Sequence, residues 1–188
     1  WTPASTTSPP GRWHATSPKV WRTTTPEAAI AARRAGCARV LRSVLGDRVE
    51  TRAFARATEL LLRAGTSAPA DGRPMYAALL SLAVPDDLPA RLFHAASLLR
   101  EHRGDGHIAA LLGERIGRLE CHVLYALSRD MPAHRFGRLH HLPRSQVDAV
   151  VGGMRERGLI ADDGSLSEEG RAVHRRVEDL LVAAQTYG

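Results

Sequence analysis

From Arg144 onward, Val147, Val150, Val151, Met154 and Leu159 recur at helical spacing, so one face is apolar and the other wet. The wet face carries Arg144, Ser145, Asp148, Ala149, Gly152 and Arg155, and the helix is expected to close at Gly158, a residue suited to the left-handed cap position. Before it lies a short basic piece, PAHRFGRLHH at 132–141, and a turn at Leu142 and Pro143 that resets the chain. After it, Leu159 and Ile160 are β-compatible, Asp162, Asp163 and Gly164 make a tight turn, Ser165 and Leu166 return, and Ser167 can cap a final helix. Helix, small hairpin, helix is the order a wing requires. The expectation is therefore a mainly α chain: a helical domain with a C-terminal winged helix-turn-helix and a small β-hairpin wing. The plainer alternative is two amphipathic helices joined by a proline turn.

Composition narrows the rest. At 188 residues the chain has room for one domain with a real core, and its aromatics are only 5%, with strand formers not enriched outside the proposed wing. Residues 1–25, rich in Thr, Ser and Pro and holding Trp1, Trp13 and Trp21, read as a disordered tail. A first residue that is not methionine reads as a fragment, a processed product or a misassigned start. Residues 26–118 form the expected helical N-terminal region, and 119–188 the winged helix-turn-helix and C-terminal helix. Of 26 Lys and Arg only Lys19 is lysine, so part of the basicity reflects codon usage rather than function. Residues 1–64 carry net +7, residues 65–119 balance, and residues 120–188 carry net −1, although 132–157 are locally +3. Since phosphate neutralisation dominates nucleic-acid affinity, weak or salt-sensitive binding is expected. Cys37 and Cys121 offer neither a disulfide framework nor metal-ligand spacing. No apolar run is long enough for a membrane span and no signal peptide is recognisable, so the expected compartment is the cytoplasm.

Upstream, Thr25, Pro26 and Glu27 mark a helix start. Ile30, Ala31, Cys37, Val40, Leu41 and Val44 form its apolar side as far as Gly46, with Arg33, Arg34, Arg39 and Arg42 on a solvated face or an acidic-partner surface. A second helix from Thr51 is expected to end at Gly65, a short one spans 75–83, and Asp86, Asp87 and Pro89 start a third long helix. Near that helix's end stands REHRGDGH, residues 100–107, dense in charge and carrying two glycines that each cost about 1 kcal/mol relative to alanine. If the helix runs through, His94, Glu101 and Asp105 share one side; if it breaks at Gly104, Asp105 caps a new helix. His94, Arg100, Glu101, His102, Arg103, Asp105 and His107 are the candidate ligand-binding set, the alternative being a helix junction held by internal salt bridges. His102 and His107 are spaced five apart, poorly suited to one metal, and no catalytic motif is present, so no metal, cofactor or catalytic residue is expected.

Three pieces, LLREHRGDGHIAALL at 98–112, MRERGLIADDGSLSEEGRAV at 154–173 and VED at 177–179, resemble an actinobacterial helix-turn-helix family of poorly defined function, similar in layout to MarR-type winged-helix regulators. The resemblance covers roughly residues 26–182. The first 25 residues depart from the family's N-terminal helices, and 132–145 lacks its usual tryptophan. It implies a MarR-like DNA-binding transcriptional regulator, a homodimer on double-stranded DNA with a small-molecule effector near residues 94–107. Arg144, Ser145, Gln146 and Asp148 would face base edges, and Arg138, His140, His141 and Arg155 would sit near phosphates. The alternative is a ligand-binding protein or enzyme on the same scaffold that does not use DNA.

Overall fold

The computed structural model describes residues 23–186; the expected tail, with its three tryptophans, lies outside them except for Thr23, Thr24 and Thr25. The described residues are mainly helical: α1 (Pro26–Leu45), α2 (Arg52–Ser67), α3 (Pro74–Leu80), α4 (Leu88–Gly113), α5 (Glu120–Ser128), α6 (Arg144–Glu156) and α7 (Glu168–Thr186). Short 3-10 segments, Gly46–Glu50, Ala133–Arg135 and Gly137–His141, link some of them.

Local chemistry sets most of the helix starts. Thr25 Oγ1 accepts from the Ala28 N–H at 3.2 Å, Thr51 Oγ1 from Phe54 at 3.2 Å, and the Asp87 carboxylate from Ala90 at 3.1 Å, each satisfying a donor the first turn leaves unpaired. Helix α4 is the organising element. It runs unbroken through Gly104 and Gly106, and α1, α2 and α3 pack on it, as does α7 near its C-terminal end.

Gly65, the expected end of the second helix, is instead inside α2 and buried. A Cβ there would stand 3.1 Å from Leu98 Cβ and 3.2 Å from the Ala95 carbonyl oxygen, so this glycine lets α2 and α4 cross closely. The apolar face expected for α1 is also rotated. Val40 and Val44 are 60% and 75% exposed, whereas Ala38 is buried. Two of its arginines turn towards α4: Arg34 donates to His94 Nδ1 at 3.2 Å, and Arg42 pairs with Asp87.

The C-terminal half is built on one apolar cluster. Ala110 and Leu111 of α4 join Ile116, Val123, Leu124, Leu139, Val147, Met154, Leu159, Ile160, Leu166, Val173 and Val177. The expected β-hairpin wing is absent: no β-strand forms among the described residues, and the segment reduces to a single antiparallel bridge between Ile160 and Leu166. The tight turn does form, with Gly164 N–H donating to the Ala161 carbonyl at 2.9 Å. What prevents a ladder is the final cap. Ser167 Oγ donates to the Gly158 carbonyl at 2.6 Å and accepts from the Gly170 N–H at 2.9 Å, so the chain enters α7 immediately after the bridge. The bridge rests on two backbone bonds, Ala161 N–H to the Ser165 carbonyl at 2.9 Å and Ser167 N–H to the Leu159 carbonyl at 3.1 Å, around the buried Ile160 and Leu166.

Candidate nucleic-acid interface and the buried polar network

Helix α6 has the faces its sequence requires. Val147 and Met154 are buried, with Val150 and Val151 packed against the core. Arg144, Ser145, Gln146, Asp148, Ala149 and Arg155 are exposed. The helix ends in a Schellman motif: Gly158, at φ 74°, donates to the Arg155 carbonyl at 2.8 Å, and Leu159 donates to Met154 at 2.9 Å. Glu120 fixes this end to α5, accepting from Arg157 at 2.8 Å and from the Gly117 N–H at 2.6 Å. Arg157 thus leaves the pool of available cations.

The 3-10 segments at 133–135 and 137–141 occupy the place between α5 and α6 that the second helix of a three-helix unit takes. Leu139 is fully buried and anchors them, leaving Arg138, His140 and His141 exposed just before the N-terminus of α6. His140 Nδ1 lies 2.8 Å from the Gly137 carbonyl, and the His140 and His141 rings are 3.5 Å apart. Arg138, Arg144 and Arg155 form no ion pair among the described residues. All eight candidate DNA-contact residues therefore lie at the surface, on α6 or the turn leading into it. At the middle of this face sits Gly152, where an added Cβ would meet nothing within 4 Å.

The candidate ligand set has a different setting. In the unbroken α4, His94, His102 and Asp105 are buried, Glu101 and His107 half-buried, and Arg100 and Arg103 exposed. Asp105 accepts from the Tyr76 N–H at 2.9 Å, doing for α3 what a capping side chain does, since Arg73 at the cap position supplies no side-chain bond. The Arg73 guanidinium instead donates to the His102 carbonyl, and Tyr76 Oη donates to Gly65 and Ala68 carbonyls at 2.9 and 3.0 Å. The Tyr76 and His102 rings meet edge to face, centroids 5.0 Å apart. Arg100 pairs with the adjacent Glu101.

Burial chiefly pushes the imidazoles of His94, His102, His107 and His122 below their usual value. Arg34 adds to this at His94, and Arg73 at His102, where the Pro69 carbonyl and Asp105 partly oppose it. Arg103 adds to it at His107 against Glu178, and Arg138 and His107 add to it at His122. The structure thus brings His102 and Asp105 into one network with Arg73 and Tyr76. His94 belongs to a separate contact with Arg34, and His107 faces α5 and α7. Sequence reading missed Arg73, an arginine in a loop-like stretch whose partners lie twenty-nine positions away.

A groove of about 470 Å³ lies between α1 and the start of α4, lined by Ala35, Ala38, Arg39, Arg42, Asp87 and Ala90. A second cavity, of about 260 Å³, lies between the end of α5 and the start of α7. Neither is lined by residues 94–107. Among the described residues no three His, Cys, Asp or Glu side chains are grouped to hold a metal ion. No helix there is long and apolar enough to cross a membrane.

A short helix-turn-helix unit with its second long helix held outward by a buried face defines the class to which this geometry points. A family model described as a helix-turn-helix family matches residues 4–186, and the chain belongs to that family. No curated protein and no solved structure matches it. Membership of such a family points in general to a DNA-binding regulator.

Proposed function

We propose that the protein is a transcriptional regulator that binds double-stranded DNA through α6. The observation that carries this reading is the exposed face of α6, where Arg144, Ser145, Gln146 and Asp148 stand at the N-terminal end of the helix with Arg155 further along. The arginine donors and the glutamine amide complement the acceptors and donors that base edges present in a major groove, and Arg138, His140 and His141 beside them suit phosphates. Kinship with MarR-type regulators, in this reading, lies in the order of the helices, a long helical region ahead of the reading unit and a helix behind it.

A homodimer is part of the proposal. Leu112 is 69% exposed near the end of α4, and Val182 is 60% exposed on the neighbouring α7, apolar surface that a second copy would cover. Two α6 helices about one DNA turn apart would then read a two-fold site. A small-molecule response belongs to the same reading. Arg103 and His107 are the members of the 100–107 stretch that reach or approach the surface without an internal ion pair, and they are the groups available for it.

The test is fluorescence anisotropy of the protein on the DNA upstream of its own gene and on a scrambled control, at low and moderate salt. Saturable binding to the first alone, weakened by about 1–3 kcal/mol in Arg144→Ala, is the expected result. Equal weak binding to both that vanishes with salt would refute it, leaving only nonspecific arginine attraction.

A further inference from the structure

Among the described residues six arginines form ion pairs with carboxylates: Arg42, Arg56, Arg91, Arg100, Arg157 and Arg176. The cavity of about 260 Å³ gathers three that do not. Arg129, Arg171 and Arg175 all line it, and none forms an ion pair among the described residues. Arg129 lies over the Tyr125 ring, 5.4 Å from its centroid, and Arg171 donates to the Leu166 carbonyl at 2.6 Å, contacts that hold the guanidinium groups without neutralising them. His174 lines the same cavity, its Nε2 buried and without a hydrogen-bond partner among the described residues.

Three guanidinium groups stand against the lining carboxylate Asp130 and against Asp163 of the adjoining turn, whose charge interacts with Arg171, which leaves the cavity with one uncompensated positive charge. Arg171 and Arg175 are moreover like charges one helical turn apart, an arrangement that an anion between them relieves. Ser128 and Ser165 add hydroxyls, and Leu127 and Leu166 an apolar wall, so the space suits an oxyanion bearing a small organic group. We propose that this cavity between α5, the 163–166 turn and α7 is a binding site for a phosphate group, carried by a small phosphate monoester. Arg171, His174 and Arg175 share one face of α7 at spacings of three and four, the signal in the sequence that would have revealed them.

The site does not depend on the DNA reading, and its test contains no DNA in the first arm. Phenyl phosphate, phenyl sulfate and inorganic phosphate are titrated calorimetrically into the full chain at about pH 7.5, where a phosphate monoester is close to doubly charged. The expected result is one saturable site for phenyl phosphate, about tenfold tighter than for the singly charged sulfate, with Arg175→Gln and Arg129→Gln each weakening it by about tenfold. Both residues are exposed, and the exposed Arg63→Gln on α2 serves as a control that leaves affinity unchanged. Equal affinity for sulfate and phosphate, or indifference to Arg175→Gln and Arg129→Gln, would overturn the proposal. In the second arm the same variants are measured on DNA. No saturable phenyl phosphate binding, together with a smaller salt dependence of DNA affinity in Arg175→Gln, would assign the cluster to a DNA backbone phosphodiester and overturn the free monoester.

Discussion

Gly152 occupies the middle of the exposed face of α6, and nothing inside the protein accounts for it: an added Cβ meets no atom within 4 Å. Glycine inside a helix costs about 0.8–1.0 kcal/mol relative to alanine. Gly152→Ala therefore gains that stability with no steric cost, which for a chain of this size raises the melting temperature by roughly 2–4 °C. DNA binding moves the other way. A methyl group inserted into a closely packed contact costs about 1–3 kcal/mol, roughly tenfold or more in affinity. Gly153→Ala is the internal comparison. Its Cβ also meets nothing within 4 Å, but it lies about 100° further round the helix, at the edge of the reading face. It should raise the melting temperature equally and leave DNA affinity nearly unchanged. Thermal melts and anisotropy on the same preparations decide the matter. If Gly152→Ala melts higher and binds DNA as tightly as the parent, α6 does not approach DNA closely and the argument for this face fails.

Gly170→Ala should behave in the opposite sense: a Cβ there would press into the Leu159 carbonyl, with the carbonyl carbon only 3.1 Å away. A net destabilisation of about 1–3 kcal/mol is expected in denaturant melts, and a gain would refute the packing described. Asp105→Ala strips the buried Tyr76 N–H of its acceptor and should cost about 1–3 kcal/mol, while Asp105→Asn, which keeps an acceptor oxygen, should cost less; equal losses would contradict the capping role. The imidazoles of His94, His102, His107 and His122 sit below their usual 6.5, so the unfolded chain binds more protons. Their contribution is complete above about pH 6.5 and is lost as pH falls through the folded values, so melting temperature should drop between about pH 7.5 and pH 5.5. A flat profile over that interval would contradict it.

What could be read in the sequence was what neighbouring residues decide. The starts of α1 and α4, the amphipathic span of α6, its end at Gly158 and the Ser167 cap all rest on groups within a few positions of each other. The absent hairpin turned on competition for the same residues: Ser167 capping α7 is incompatible with a second strand extending through it. Gly65 looked like a helix end because its reason for being glycine, the backbone of α4, is some thirty residues away. The charge of REHRGDGH was evident, but its internal partners, Arg73 and the Tyr76 N–H, come from a stretch with no periodicity to flag them. The arginine cavity escaped notice because Arg129 reaches it from a different helix.

Helix α4 has 26 residues and spans about 39 Å. Its first half meets α1 and α2, residues 102–105 hold α3, and Ala110 and Leu111 at its far end are set into the same apolar cluster as Val147 and Met154 of α6. Gly104 and Gly106 sit in its interior, yet the helix runs on through both. A stiff rod of this kind works as a lever. A tilt of a few degrees imposed where α1 and α2 pack displaces the other end by a few ångström over about 39 Å. One helix therefore joins the packing of α1 to α3 to the cluster on which the buried face of α6 rests.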